Sequence, residues 1–178
     1  VERVAEALDR DAGASLQDRL VIASWHGTLL NRARRLDESR IVYLRALALP
    51  PSADPATQLW RQEVERKYAN LLHAMGRYEE AAAILEGELR RIEESGTTDS
   101  GSLQVAMEAL LNLGALRTAQ FRGDEALALA TRATERAREL HGEPSYWLVQ
   151  CVEAGGVAHQ SRGDDRQARV AFEQALAM

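Results

Sequence analysis

GDDRQARVAFEQAL, residues 163–176, repeats the cadence of GRYEEAAAILEGEL at 76–89: a Gly, an acidic opening, an Ala, and a large apolar residue four places later. Working outward from these two stretches, small residues recur inside helical-looking apolar runs at Gly27, Ala69, Gly114 and Gly156. Twelve residues after each stand Ser39, Ala81, Ala126 and Ala168, all small. Nineteen residues after each stand Ala46, Glu88, Ala133 and Ala175, small in three of the four cases. These offsets never vary, although the units are spaced by 69−27=42, 114−69=45 and 156−114=42 residues. Fixed spacing within units, with slack only between them, marks a repeated helical hairpin.

The physical reason is close approach. Two helices bring their backbones together only where the facing residues are small, with larger neighbours filling the flanking grooves. A Gly inside a helix costs about 1 kcal/mol relative to Ala, so Gly27, Gly114 and Gly156 need a packing reason. Four residues after the second small position come Tyr43, Leu85 and Phe172, but only Ala130 in the third unit. They lie one helical turn on, on the same face.

Punctuation agrees with the repeat. Asp54-Pro55 reads as an N-cap followed by Pro at the first helical position. LPPSADP (49–55), ESGTTDSGS (94–102) and HGEPS (141–145) separate the units and are rich in turn formers. The pattern predicts a helix near 2–11, then helix pairs at 15–33 and 36–49, 55–75 and 78–94, 102–121 and 124–141, and 144–161 and 164–177.

Composition narrows the class. The chain has 178 residues, 46% hydrophobic and 28% charged, enough for a sizeable core but not for several large domains. Aromatics make up only 5%, and Ala, Leu, Arg and Glu dominate, which favours helix over sheet. A net charge of −5 does not suit phosphate backbones, so no nucleic-acid partner is expected for this segment. The basic run Arg32, Arg34 and Arg35 is offset by Asp37 and Glu38 and reads as a solvated helix end. Cys151 is the only cysteine, which excludes an intramolecular disulfide and fits the cytoplasm. No run of 18 apolar residues is present, so no membrane partner is expected. The chain starts at Val1 and stops within a helical pattern, which reads as a segment of a longer protein; the Ala/Arg-rich usage suggests a bacterial source.

HGTLLNRARRLDESRIVYLRAL (26–47), YANLLHAMGRYEEAAAILEGEL (68–89), NLGALRTAQFRGDEALALATRA (112–133) and GGVAHQSRGDDRQARVAFEQAL (155–176) resemble tetratricopeptide repeats. The resemblance spans nearly the whole chain. The spacing of 42–45 residues, against about 34 in the common form, is similar to the long-helix variety of kinesin light chains and many bacterial signalling proteins. Three departures stand out: Glu88 in a small position, Arg117 and His159 where the family prefers large apolar residues, and Gly123 displaced from the usual turn. The resemblance implies an all-α fold, an α-solenoid whose antiparallel hairpins wind into a right-handed superhelix. Its units would run about 15–50, 54–95, 100–141 and 144–178, with 1–11 either a capping helix or the remnant of a preceding unit.

No phosphate-binding Gly-rich loop, HExxH, CxxC or nucleophile elbow occurs, so neither an enzyme nor a bound cofactor is expected. Cys151 and His159, eight residues apart, lie about 12 Å apart along a helix, too far for one metal ion. Asp164-Asp165 and Glu79-Glu80 open second helices, where acids favour the positive helix end.

What remains is a surface. The resemblance implies that the first helix of each hairpin lines a concave groove for a peptide or partner protein. The candidates there are Ser24, Trp25, Thr28, Asn31 and Arg32 in the first unit, and Glu63, Arg66, Lys67, Asn70 and His73 in the second. The third offers Glu108, Leu111 and Asn112, and the fourth Gln150 and Glu153. Arg66, Asn70 and Asn112 resemble part of the carboxylate clamp by which some members hold a C-terminal peptide; its remaining basic pair would fall at Gln150 and Ala154, neither of them basic. Trp60 and Trp147 occupy equivalent places near the starts of first helices and read as packing between units. The expected function is a protein–protein interaction module within a larger protein, with self-association as a further option. The alternative is a sensor or dimerisation segment of a bacterial Ser/Thr kinase or transcriptional activator.

Overall fold

A computed structural model describes residues 14–178; the helix expected near 2–11 lies outside the described residues. The described residues form eight helices and no strand: α1 (Leu16–Arg32), α2 (Leu36–Leu47), α3 (Pro55–Ala74), α4 (Tyr78–Ser95), α5 (Ser100–Ala119), α6 (Gly123–His141), α7 (Tyr146–Ser161) and α8 (Asp165–Ala177). Two compact parts divide at Ala81/Ala82, inside the first turn of α4. In the first, α1 packs on α2, and both pack on α3. In the second, α5 packs on α6 and α7, α6 also packs on α7, and α7 packs on α8.

First and second helices begin differently. Each first helix starts with a side-chain cap: Ser15 accepts from the Asp18 N–H, Asp54 from Thr57, Asp99 from Ser102 and Ser145 from Leu148. Asp99 sets the start of α5 at Ser100, two residues ahead of the sequence expectation. Helices α2, α6 and α8 lack such a cap, because a tight turn feeds them directly from the preceding helix.

That turn is one motif written four times. Arg34, Gly76, Phe121 and Gly163 all have left-handed backbones, with φ of 60°, 75°, 59° and 80°. Each stands seven residues after the small residue of its unit, as in 121−114=7. The next N–H reaches back five residues: Arg35 to the Leu30 carbonyl, Arg77 to Leu72, Arg122 to Arg117 and Asp164 to His159, at 2.9, 2.8, 2.8 and 3.0 Å. This closes the helix C-terminus in the Schellman manner. Three turns also carry an Arg–Glu pair in the same register, Arg35–Glu38, Arg77–Glu80 and Arg122–Glu125, with Nε–Oε1 distances of 2.6, 2.5 and 2.7 Å. Between α5 and α6 the left-handed position falls on Phe121, and α5 ends at Ala119, two residues before the expected end.

The small positions do what the spacing implies, with one exception. A β-carbon on Gly27 would fall 2.5 Å from Cε1 of Tyr43, and one on Gly156 would fall 2.6 Å from Cε1 of Phe172. Ser39 donates its hydroxyl to the buried Gly27 carbonyl at 2.8 Å, fixing the α1–α2 approach. Gly114 is the exception: its β-carbon would make only ordinary contacts, 3.7 Å to the Ala126 carbonyl oxygen and 3.8 Å to Leu129 Cβ. Its partner sixteen residues on is Ala130, and no ring fills the space.

Two of the departures from the repeat pattern, Arg117 and Gly123, find reasons. Arg117 is buried, yet its guanidinium reaches Glu86 at 2.6 Å, Gln120 at 2.8 Å and Glu125 at 3.4 Å. A charge replaces an apolar contact there because three acceptors surround it. Gly123 starts α6 against the α7–α8 turn, where a β-carbon would meet Arg162 Cγ at 2.5 Å and Ser161 Oγ at 2.7 Å. Between hairpins, Arg61 donates to the carbonyls of Leu47, Leu49 and Pro50 at 3.0, 2.7 and 2.8 Å, satisfying the end of α2.

Candidate interaction surface

In the first compact part, α1 and α3 bring several of the expected residues together. Trp25 is 60% exposed, an unusual position for so large an apolar side chain. The Lys67 ammonium lies 5.1 Å from the centre of its ring, within cation–π range. Glu63 joins the group, 3.3 Å from Lys67 and 2.6 Å from Arg66. The result is an exposed indole with one cation over its ring, tied through a carboxylate to a second cation. Leu29, one turn beyond Trp25 on α1, adds an exposed apolar neighbour that the sequence reading did not select.

Other candidates of this part are engaged elsewhere or stand apart. Thr28 donates to the Ser24 carbonyl at 2.8 Å and lies 3.2 Å from the Tyr43 hydroxyl, so its side chain turns toward α2. Tyr43 is buried and its phenol is held above the ordinary range by desolvation. His73 packs its ring 5.6 Å from Tyr78 at the hairpin tip, and burial lowers its pKa. Asn70 is exposed on α3.

In the second part, Glu108 accepts from Gln104 at 2.8 Å on α5, and Gln150 donates to Glu153 at 3.0 Å on α7. Asn112 is half-buried on α5. Trp147 packs at 6.4 Å over His141, the last residue of α6, in the inter-hairpin role expected of it. Between α5, α6 and α7 lies an apolar cavity of about 150 Å³, lined in part by Gly114, Ala115, Ala126, Ala130, Ala154 and Val157. Ala115 and Val157 are exposed while Gly114, Ala126 and Ala130 are buried, so the mouth lies on the α5–α7 side. The only signal for it in the sequence is Ala130, small where the other units are large.

Cys151 is fully buried, and desolvation pushes its thiol up to about 11. Among the described residues no three His, Cys, Asp or Glu side chains are grouped so as to hold a metal ion. No helix among them is long and apolar enough to cross a membrane.

Residues 105–178 match the family model described as tetratricopeptide repeat. Over that stretch the chain is similar to tetratricopeptide repeats. Tetratricopeptide repeats form a non-catalytic scaffold family that generally mediates protein–protein interaction. The crystal structure of BtubC (BKLC) from P. vanneervenii has a similar fold: the TM-score is 0.75 at 21% identity, covering 98% of this chain and 68% of that one. The fold class is therefore the all-α solenoid that the resemblance implies. No curated protein matches the chain.

Proposed function

We propose that this chain is a cytoplasmic interaction module whose first helices recognise an extended segment of a partner protein. It acts by binding, without catalysis or a cofactor. The observation that carries the reading is the pairing of Trp25 with Lys67: an indole left 60% exposed, with an ammonium 5.1 Å from its centre. The core requires neither residue, and large exposed aromatic rings are typical anchors of protein interfaces. Asn70 and Asn112 offer amides that pair at once with a peptide N–H and C=O. Lys67 and Arg66, which share Glu63 in the free protein, supply the positive end of an acidic contact. The buried free thiol of Cys151 fits a reducing compartment.

The test is a peptide-display selection on the purified chain, followed by titration against Trp25→Ala. Loss of a hot-spot aromatic should weaken binding by about 2 kcal/mol or more, with an unchanged melting midpoint. Peptides that bind Trp25→Ala and the double variant Asn70→Ala/Asn112→Ala as tightly as the wild type would overturn the reading.

A further inference from the structure

The chain fills the space beside the small residue of its first helix in two ways. In the first hairpin the Tyr43 ring lies against Gly27, and in the fourth the Phe172 ring lies against Gly156. In the third hairpin the corresponding pair is Gly114 and Ala130, and a cavity of about 150 Å³ is lined by both. The lining residues Gly114, Ala115, Ala126 and Ala130 match Gly27, Thr28, Ser39 and Tyr43 position for position, each pair 87 apart (114−27=87). The cavity thus includes the place where a ring sits elsewhere in the same protein. An apolar cavity of roughly this size, about 150 Å³, takes up benzene.

Its surroundings set the charge of what enters. On α5 and α7 the carboxylates nearest the mouth are Glu108, one turn before Leu111, and Glu153, one turn before Val157. Arg117 is the one Lys or Arg on these two helices, and its guanidinium points to Glu86 and Glu125 instead. Opposite charge at a rim orients a partner and rejects like charge.

We propose that this cavity is a socket for an aromatic side chain of the partner segment, with a Lys or Arg beside that side chain in the partner's sequence. The proposal rests on the interaction reading above and adds the chemistry of one anchor. The partner's ring takes the place that Tyr43 and Phe172 take in their own hairpins, and Glu108 and Glu153 face its basic neighbour.

The experiment uses the whole chain and two probes. Toluene, a Phe side chain without its backbone, should shift the methyl NMR signals of Leu111, Ala130 and Val157 and raise the melting midpoint. Ala130→Phe supplies the ring from within, as Phe172 does, and should abolish both effects; Ala130→Leu serves the same purpose if the larger variant loses its helical circular dichroism. Peptides selected on the wild type should carry an aromatic residue next to Lys or Arg, and Ala130→Phe should weaken them at least tenfold. Absence of any toluene effect in the wild type overturns the socket, whatever the peptides do. Peptides that bind the wild type and Ala130→Phe alike overturn the partner assignment but leave the interaction reading standing. Failure to select any peptide counts against the interaction reading, while toluene still decides whether the socket takes a ring.

Discussion

The Phe172 ring occupies the space that a β-carbon on Gly156 would need, with Cε1 only 2.6 Å from that position. Three ring atoms lie within 2.9 Å of that position, and a rigid ring moves only as a whole. Gly156→Ala should therefore destabilise by about 1–3 kcal/mol, although Ala is the better helix former. Gly114→Ala should do the opposite, gaining about 0.4–1 kcal/mol, because its β-carbon has ordinary clearance. Urea unfolding of both variants checks the pair. A loss at Gly114 equal to that at Gly156 would mean the third hairpin is as tightly filled as the fourth.

Phe121 stands in a left-handed turn with φ of 59° and a side chain 88% exposed, so its ring contributes little packing. Left-handed backbone costs an L-residue about 1–2 kcal/mol, part of which Gly returns through its greater freedom when unfolded. Phe121→Gly should thus stabilise by about 0.5–1 kcal/mol, as Gly76 and Gly163 already do in their turns. Phe121→Ala keeps the strain and should bring no such gain. Thermal melts of the two variants side by side are sufficient.

Burial holds the Cys151 thiol up to about 11, from an ordinary 9.0. Between those values the unfolded chain loses the proton while the folded chain keeps it. The folded state then binds more protons, so stability falls as pH rises from about 9 toward 11, and Cys151 contributes no pH dependence below that window. Cys151→Ala should flatten this slope while lowering stability overall through the cavity it leaves. Alkylation of the wild type at neutral pH should follow the rate of unfolding, and rapid labelling of the folded protein would contradict the burial.

Much of the fold was legible because close packing constrains sequence. Gly27 and Gly156 could be read as crossings since only small residues fit beneath Tyr43 and Phe172. Asp54-Pro55 could be read as a helix start since its cap depends on neighbours three residues away. The turn at Phe121 was harder, because a non-glycine residue in a left-handed position gives no compositional signal. The surface was legible only in part. Trp25 and Lys67 lie on different helices, and their contact follows from how α1 and α3 pack. Thr28 shares their face in the sequence pattern, yet its hydroxyl is drawn to the Ser24 carbonyl and the Tyr43 hydroxyl. The cavity at Ala130 depends on the distances among three helices, which no single helix records.

The central claim is that the first helices, not the second, receive the partner. Exposed apolar side chains stand on both kinds of helix: Trp25, Leu29 and Val157 on first helices, Ile41, Leu44 and Val170 on second helices. Hydroxyl-radical footprinting of the whole chain, with and without a selected peptide, reads both sets in one experiment. Protection of first-helix side chains, Trp25 and Leu29 in one compact part or Val157 in the other, with Ile41, Leu44 and Val170 unchanged, is the expected result. Protection confined to Ile41, Leu44 and Val170 would contradict it.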